Sequence, residues 1–175
     1  MPSHVSVRIR TASTTLRHVV LGTVLLAAAC APLAAQRADS VAVLEVAQTA
    51  LRAISTRDTA LARTVFLPGA QLIAVMDPAS PTGAPRIQAD TTFYRTLPGG
   101  KEKLLERMWS PTVLLFGTVA EVHTPYDFHV DGTFSHCGTD VFMLVRAKGE
   151  WRISNITYTV QRAGCTPSPL GAPAK

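Results

Sequence analysis

The stretch EVHTPYDFHVDGTFSHCGTDVFMLVRAKGEWRISNITYTV, residues 121–160, decides the fold of this 175-residue chain. It contains most of three runs rich in β-branched and aromatic residues, which are Val113–Val130, Phe134–Arg146 and Trp151–Arg162. Asp131-Gly132 and Lys148-Gly149 separate the runs, and two-residue loops of this composition suit the tight turns of β-hairpins. The C-terminal half is therefore predicted to be an antiparallel meander of three long strands.

The segments before the meander are predicted to be mainly helical. Apolar side chains at spacings of three and four predict a first helix that carries Leu44, Ala47, Leu51 and Ile54 on one side. Asp58 suits the N-cap of a short second helix. Gln71–Met76 is predicted to be a strand, with Arg86–Gln88 as its return. A helix is expected from Asp90, with a further short helix over Lys101–Met108.

Helices followed by an antiparallel meander indicate the α+β class rather than a parallel wound sheet. Helices packed across one face of a strongly bent antiparallel sheet would form a cone with an internal pocket. No repeat or linker divides the chain, so residues 36–165 are expected to form one domain. Residues 166–175 are rich in proline, glycine and alanine and are expected to be a flexible tail.

The N-terminus has the composition of a signal peptide. Arg8, Arg10 and Arg17 precede an apolar run, Val19–Ala35, that ends in small residues. We expect cleavage near residue 35 and export to the periplasm or the medium. The alternatives are a lipoprotein anchored through Cys30 and an uncleaved N-terminal anchor helix.

Charge and cysteines limit the classes of function. The chain carries a formal net charge of +5, and the three arginines of the signal account for part of it, leaving about +2 on scattered bases. This distribution excludes a nucleic-acid surface. After cleavage two cysteines remain, Cys137 and Cys165, and an even number in an oxidising compartment predicts a disulfide. Two buried free thiols are the alternative.

The two hairpin turns predict which residues face one another. Counting outward from Asp131-Gly132 pairs Asp127 with His136 and His123 with Asp140. Because side chains alternate across the pleat, these four residues should share one face of the sheet. A β-bulge at Pro125 is the alternative, since proline cannot donate to the ladder, and it would place Tyr126 on the face of His123.

Counting from the second turn, Lys148-Gly149, pairs Asp140 with Thr157 and Phe142 with Asn155. The mixed face predicted from both counts carries Val119, Glu121, His123, Asp127, His129, Phe134, His136, Asp140, Phe142, Leu144, Trp151, Ile153, Asn155 and Thr157. The opposite face is expected to be mostly apolar, with Ala120, Val122 and Tyr126 among its members.

The order of elements, the segment at 124–145 and the Gly149-x-Trp151-x-Ile153 run resemble the nuclear transport factor 2-like superfamily, which includes ketosteroid isomerase and SnoaL-type polyketide cyclases. The resemblance covers Val41 to Arg162 and is strongest to a lumazine-binding-like subgroup of exported proteins. It implies a cystatin-like cone fold with a pocket, and frequently a homodimer through the outer sheet face. It also implies that the Trp151 strand turns its side chains toward the helices, which would make the mixed face the pocket face.

The His/carboxylate pairs on that face support two interpretations. A carboxylate beside an imidazole suits general acid–base catalysis, and the pairs are also ordinary cross-strand complementarity on a half-exposed sheet. The catalytic candidates are Asp127, His136, His123, Asp140 and Tyr126. The ligand-binding candidates are Glu121, Phe142, Trp151, Asn155, Thr157 and Tyr94. No tight ligand spacing supports a metal site at His123, His129, His136 and Asp127, and no cofactor is expected.

Three functions follow from these features. The first is an exported module that binds an unknown small molecule in its pocket. The second is an isomerase, dehydratase or cyclase that transfers protons without a cofactor through Asp127 and His136. The third is an interaction protein that dimerises through its apolar outer face. No phosphate-binding loop, nucleophile elbow or Cys-x-x-Cys motif is present, which disfavours nucleotide binding, serine hydrolysis and thiol redox chemistry.

Overall fold

The computed structural model describes residues 16–77 and 84–173, with side chains described from residue 34 onward. The chain divides into two compact units, Met1–Arg37 and Ala38–Lys175. Arg8, Arg10 and the side chain of Arg17, on which the signal-peptide prediction rests, lie outside the described residues, so that prediction remains open. Among the helices that are described, none is long and apolar enough to cross a membrane.

Three helices and seven strands make up the described chain. They are α1 (Leu16–Thr56), α2 (Thr59–Val65), β1 (Phe66–Met76), β2 (Arg86–Ala89), α3 (Asp90–Thr96), β3 (Leu104–Met108), β4 (Thr112–Phe116), β5 (Val119–Val130), β6 (Thr133–Ala147) and β7 (Glu150–Val160). Asp58 caps α2, as predicted, since its side chain accepts a hydrogen bond from the backbone N–H of Leu61.

One curled sheet contains all seven strands, in the order β2-β1-β7-β6-β5-β3, with β4 also paired to β5. All pairs are antiparallel except β1 with β7, which is parallel, so the sheet is mixed. The α+β class and the bent sheet are confirmed. The parallel pair was not predicted, because a chain that begins with helices gives no signal for which edge its first strand will join.

The predicted helix over Lys101–Met108 is wrong. Residues Leu104–Met108 form strand β3, which pairs with the second half of β5. Leu104, Leu105 and Met108 have helical spacing, but five residues cannot separate a helix from a strand by periodicity. The peptide groups at the edge of β5 decide the conformation, because they need hydrogen-bond partners. The single run predicted from Val113 is also two strands, β4 and β5, which turn at Gly117.

Both hairpin turns form as predicted. Asp131 and Gly132 have φ values of 50° and 76°, and Lys148 and Gly149 have values of 53° and 88°. Positive φ at both central residues defines the type I′ turn.

The predicted register holds for two pairs after the first turn and for four pairs after the second, and then fails. Val130 lies opposite Thr133, but Ser135 is then left without a partner, so Phe128 rather than Asp127 lies opposite His136. The ladder between β6 and β7 shifts in the same way at Ser154. Each shift is a β-bulge that moves every later residue of one strand to the other face. The ladder runs without a shift through Pro125, so the bulge considered there is absent.

These bulges decide which face meets the helices. We define the inner face as the one that packs against α1, α2 and α3, and the outer face as its opposite. Ala120, Val122, Phe142, Leu144, Trp151 and Ile153 share a buried core with Ala47 and Leu51 of α1. The inner face therefore keeps the predicted residues of β6 and β7 near the second turn, but on β5 it carries the residues that were predicted for the outer face.

Candidate functional site

A cavity of about 490 Å³ lies between the inner face and the helices, in the unit Ala38–Lys175. Its walls are mainly apolar and include Leu51, Ile54, Leu72, Phe93, Ile156 and Val160. This volume falls within the range of small-molecule pockets, which are typically apolar with a few polar groups that orient the ligand.

Two carboxyl groups, Asp140 and Glu106, face this cavity. Asp140 is 1 % exposed, and its Oδ2 atom has no hydrogen-bond partner among the described residues. Burial raises the pKa of Asp140 to about 8. Burial, together with the negative charge of Asp140, raises the pKa of Glu106 well above its usual value. Because both ionised forms are disfavoured, the pair retains a proton at neutral pH.

Tyr126 lies between the two carboxyl groups, and contacts with Thr159 and Gly138 fix its position. Its hydroxyl donates a 2.7 Å hydrogen bond to the carbonyl of Thr159. A Cβ at Gly138 would lie 2.7 Å from the Tyr126 ring and 2.0 Å from the Thr159 carbonyl oxygen, so only glycine allows this approach. Burial and the charges of Glu106 and Asp140 raise the pKa of Tyr126, which keeps the phenol protonated.

His136 is positioned in the cavity by the bulge at Ser135. Its ring stacks on Phe128 with centroids 4.9 Å apart, and it meets the edge of Tyr126 at 5.8 Å. The Oγ atom of Ser135 lies 3.0 Å from Nδ1 of His136. Burial, followed by the positive charge of Arg162, lowers the pKa of His136, so the imidazole is neutral at pH 7.

The predicted pairing of Asp127 with His136 is wrong, because the two residues lie on opposite faces. Asp127 is on the outer face, 4 % exposed, and it accepts two hydrogen bonds from Arg107, of 2.9 and 2.6 Å. His129 Nε2 lies 3.4 Å from the same carboxylate. Burial would raise the pKa of Asp127, but the hydrogen bonds from Arg107 and His129 outweigh it and lower the pKa. This geometry suits a structural ion pair.

The other predicted pairings are wrong for the same reason. His123 lies opposite Val141 and is exposed on the outer face, whereas Asp140 lies opposite Thr124 and Tyr158.

Several other candidates also lie away from the cavity. Glu121, Asn155 and Thr157 are on the outer face, where Thr157 donates to Asn155 over 2.8 Å. Phe142 and Trp151 belong to the core but do not line the cavity, and Tyr94 packs against Phe66 and Phe93 beneath Arg63. Of the predicted set, the cavity brings together Tyr126, His136 and Asp140, and the functional roles of all these residues stay predictions.

Three charged residues of the cavity, Glu106, Arg86 and Arg162, were absent from the predicted site. Glu106 was missed because its segment was assigned to a helix, although Glu106 and Met108 alternate with Leu105 and Arg107 as a strand requires. Arg86 and Arg162 also line the cavity, and both are exposed. Their positions, at the start of β2 and just after β7, give no sequence signal for a shared site.

No cluster of three or more potential metal ligands forms among the described residues. The four-residue set considered from the sequence is divided by the sheet, with His136 on the inner face and Asp127 and His129 on the outer face. Cys137 and Cys165 form the predicted disulfide, with 6.1 Å between their Cα atoms.

Comparison with solved structures finds the same fold at low sequence identity. A nuclear transport factor 2-like protein of unknown function from Shewanella baltica is 16% identical, with a TM-score of 0.53, covering 74% of this chain and 95% of its own. A protein with a cystatin-like fold from Nostoc punctiforme is 11% identical, with a TM-score of 0.56, covering 75% and 95%. A Streptomyces avermitilis protein, titled a "putative dehydratase" of the same superfamily, is 12% identical, with a TM-score of 0.57, covering 71% and 97%.

Comparison with curated proteins finds no match. The sequence model of a protein family described as "Putative lumazine-binding" matches residues 38–159, which is more than half of the chain and contains most of the cavity. The chain therefore belongs to this lumazine-binding-like family, within the nuclear transport factor 2-like superfamily.

Proposed function

We propose that this domain binds a small, largely apolar organic molecule in the cavity between the inner face and the helices. The observation that carries the proposal is the buried Oδ2 atom of Asp140, which faces a mainly apolar cavity and has no partner among the described residues. A buried acceptor without a partner destabilises a fold by about 1–3 kcal/mol. A ligand that donates to Asp140 would remove this cost.

Thermal unfolding of the full chain with a library of small heterocycles, lumazine included, tests this proposal. Ala74→Phe narrows the cavity from β1, and Val75→Phe is the matched control, because the neighbouring side chain points away from the cavity. We expect a ligand that raises the Tm of the wild type and of Val75→Phe but not of Ala74→Phe. Equal stabilisation of both variants would contradict binding in this cavity.

A second candidate is a cofactor-independent enzyme of the isomerase, dehydratase or cyclase kind. The raised pKa of Asp140 favours it, since a carboxyl group that titrates near neutral pH is suited to proton transfer. In this candidate Asp140 exchanges the proton, with Glu106 or His136 as its relay. Asp140→Asn would then abolish turnover of a bound ligand while the ligand still raises the Tm. Turnover that survives in Asp140→Asn would exclude this assignment.

Export remains part of the proposal. The Cys137–Cys165 disulfide supports it, because such bonds persist mainly in oxidising compartments. Mass spectrometry of the protein after expression of the whole gene distinguishes a new N-terminus near Gln36 from a lipid-modified Cys30. An intact Met1 would contradict both forms of processing.

Dimerisation through the outer face is also proposed. Leu114 and Phe116 are exposed apolar residues at one end of that face, and Phe134 is exposed at its other end, each between 44% and 63% exposed. Sedimentation of the wild type as a dimer and of Phe116→Glu as a monomer would support it. A monomeric wild type at all concentrations would count against it.

A further inference from the structure

The charged residues that line the cavity lie in two cross-strand rows of the sheet. Asp140 and Arg86 lie in one cross-strand row, in which the partners are Asp140, Tyr158, Ala74 and Arg86. Glu106 lies in a second row with Phe128 and His136. Arg162 follows Gln161, which bridges to Cys137, so Arg162 continues this second row beyond His136.

In each row the carboxyl group and the guanidinium group are three strands apart. Adjacent strands are about 4.8 Å apart, so the backbones of the two charged residues are about 14 Å apart along the sheet. The carboxyl groups occupy the inner end, where Asp140 is buried, and the arginines occupy the exposed end. Along each row the cavity wall therefore changes from a carboxyl group, at the inner end of the row, to an exposed arginine at its outer end.

The carboxyl groups at the inner end have no cationic partner. Neither Glu106 nor Asp140 takes part in any of the salt bridges between described residues. Burial is the cause of the raised pKa of Asp140, and no arginine offsets it. Phe128 and Tyr126 beside them present aromatic surface, which attracts cations.

The arginines at the outer ends of the rows also lack an ion-pair partner among the described residues. Arg86 and Arg162 form no salt bridge with a described carboxylate, unlike Arg57, Arg107, Arg146 and Arg152. A guanidinium group binds carboxylate or phosphate oxygens through two parallel hydrogen bonds. Either guanidinium group on the cavity wall favours an anionic group in the part of the ligand that lies against it.

We propose that the cavity selects an amphipathic molecule with a protonated amine at one end, bound by Asp140 and Glu106, an apolar middle, and an anionic group at the other end, bound by Arg86 or Arg162. This inference rests on the proposed binding function and adds to it the chemical class of the ligand. The apolar walls contact the middle of the molecule, and Tyr126 and His136 line its path.

Four probes of one chain length separate these contributions. They are 8-aminooctanoate, octylamine, octanoate and 1-octanol, titrated calorimetrically into the full chain at low salt and pH 7. We expect 8-aminooctanoate to bind at least tenfold more tightly than either singly charged probe, and 1-octanol to bind most weakly. Binding of the amine should also release a proton, because it ionises the carboxyl pair. The other titratable groups beside this pair are Tyr126, His136 and Tyr158, and Arg86 and Arg162 lie farther along the cavity.

Two double variants test which residues bind each end of the ligand. Glu106→Gln with Asp140→Asn should reduce binding of octylamine by tenfold or more and leave octanoate unchanged. Arg86→Gln with Arg162→Gln should do the reverse. The arginines are exposed, so the second pair keeps the test valid should the first variant fail to fold.

The remaining outcomes separate the two proposals. Equal affinity for all four probes would overturn the ligand class but leave an apolar binding cavity. Tighter binding of octanoate than of 8-aminooctanoate would also overturn it. If none of the four probes binds, the proposed ligand class is also overturned. If, in addition, no compound of the library raises the Tm in a way that Ala74→Phe abolishes, the proposed function fails with it.

Discussion

Asp127 and Asp140 are buried aspartates on neighbouring strands of one sheet, 4 % and 1 % exposed, yet their surroundings are opposite. Asp127, on the outer face, is held by Arg107 and His129, and its pKa is lowered. Asp140, on the inner face, has no cation, and its pKa is raised to about 8. A buried carboxylate with its partners in place has its charge compensated, and removing one member of the pair is costly. One without partners is destabilising and is more characteristic of a functional site.

The largest expected effect comes from breaking the outer pair. Asp127→Asn removes the negative charge beside Arg107 and His129 and should lower the free energy of unfolding by about 4 kcal/mol. The matched substitution Asp140→Asn should leave stability at pH 7 unchanged or increase it, because it removes a buried carboxyl group that has no partner. Urea unfolding of both variants measures the difference, and equal losses would contradict the contrast between the two faces.

Removing the disulfide should have the second largest effect on the free energy of unfolding. The bond lies beside the Asp127–Arg107 pair on the outer face, because Cys137 is the cross-strand partner of Asp127. It closes a segment with a sequence separation of 28. Replacing both cysteines by alanine should therefore lower the free energy of unfolding by about 3 kcal/mol. Binding of 8-aminooctanoate should be unchanged. A loss of binding without a loss of stability would show that the outer face controls the cavity.

Gly138→Ala disturbs the inner face instead. The new Cβ would clash with the Thr159 carbonyl and displace the Tyr126 ring. We expect a loss of about 2 kcal/mol in unfolding free energy, the typical cost of overpacking. In contrast to the disulfide variant, it should also weaken binding of 8-aminooctanoate, measured by calorimetry. A variant as stable as wild type, with unchanged binding, would mean that Tyr126 is not fixed by Gly138.

The sequence predicts the fold better than the site, for a physical reason. Turn chemistry is local, so Asp131-Gly132 and Lys148-Gly149 identify both hairpins and the α+β order. Which face a residue occupies depends on every ladder step between it and the turn, and one bulge reverses it. Ser135 and Ser154 carry no bulge signal, which is why His136 was paired with Asp127. Asp140, Tyr126 and His136 were named as candidates because of their residue types, and they do line the cavity, but their roles stay predictions.

The smallest effect is a pH dependence, and it distinguishes the two aspartates directly. Asp140 has a folded pKa raised above the unfolded value of 3.8, so its contribution makes the protein less stable as pH rises from about 4 to about 8. Asp127 has a lowered folded pKa, so its contribution is present above the unfolded pKa and is lost as pH falls through the folded value. For one group the slope is at most about 1.4 kcal/mol per pH unit.

Unfolding free energies from pH 3 to pH 9 should therefore fall less steeply above pH 4 in Asp140→Asn, where Glu106 still titrates, and should flatten below pH 4 in Asp127→Asn. Asp140→Asn also removes the negative charge that helps to raise the pKa of Glu106, so the decrease that remains in this variant should move to lower pH, and the double variant Glu106→Gln with Asp140→Asn should flatten above pH 4. If the free energy of unfolding still falls above pH 4 in Asp140→Asn with the slope of the wild type, a group other than Asp140 titrates in this range. The contrast between a partnered and an unpartnered aspartate would then not explain the stability of this sheet.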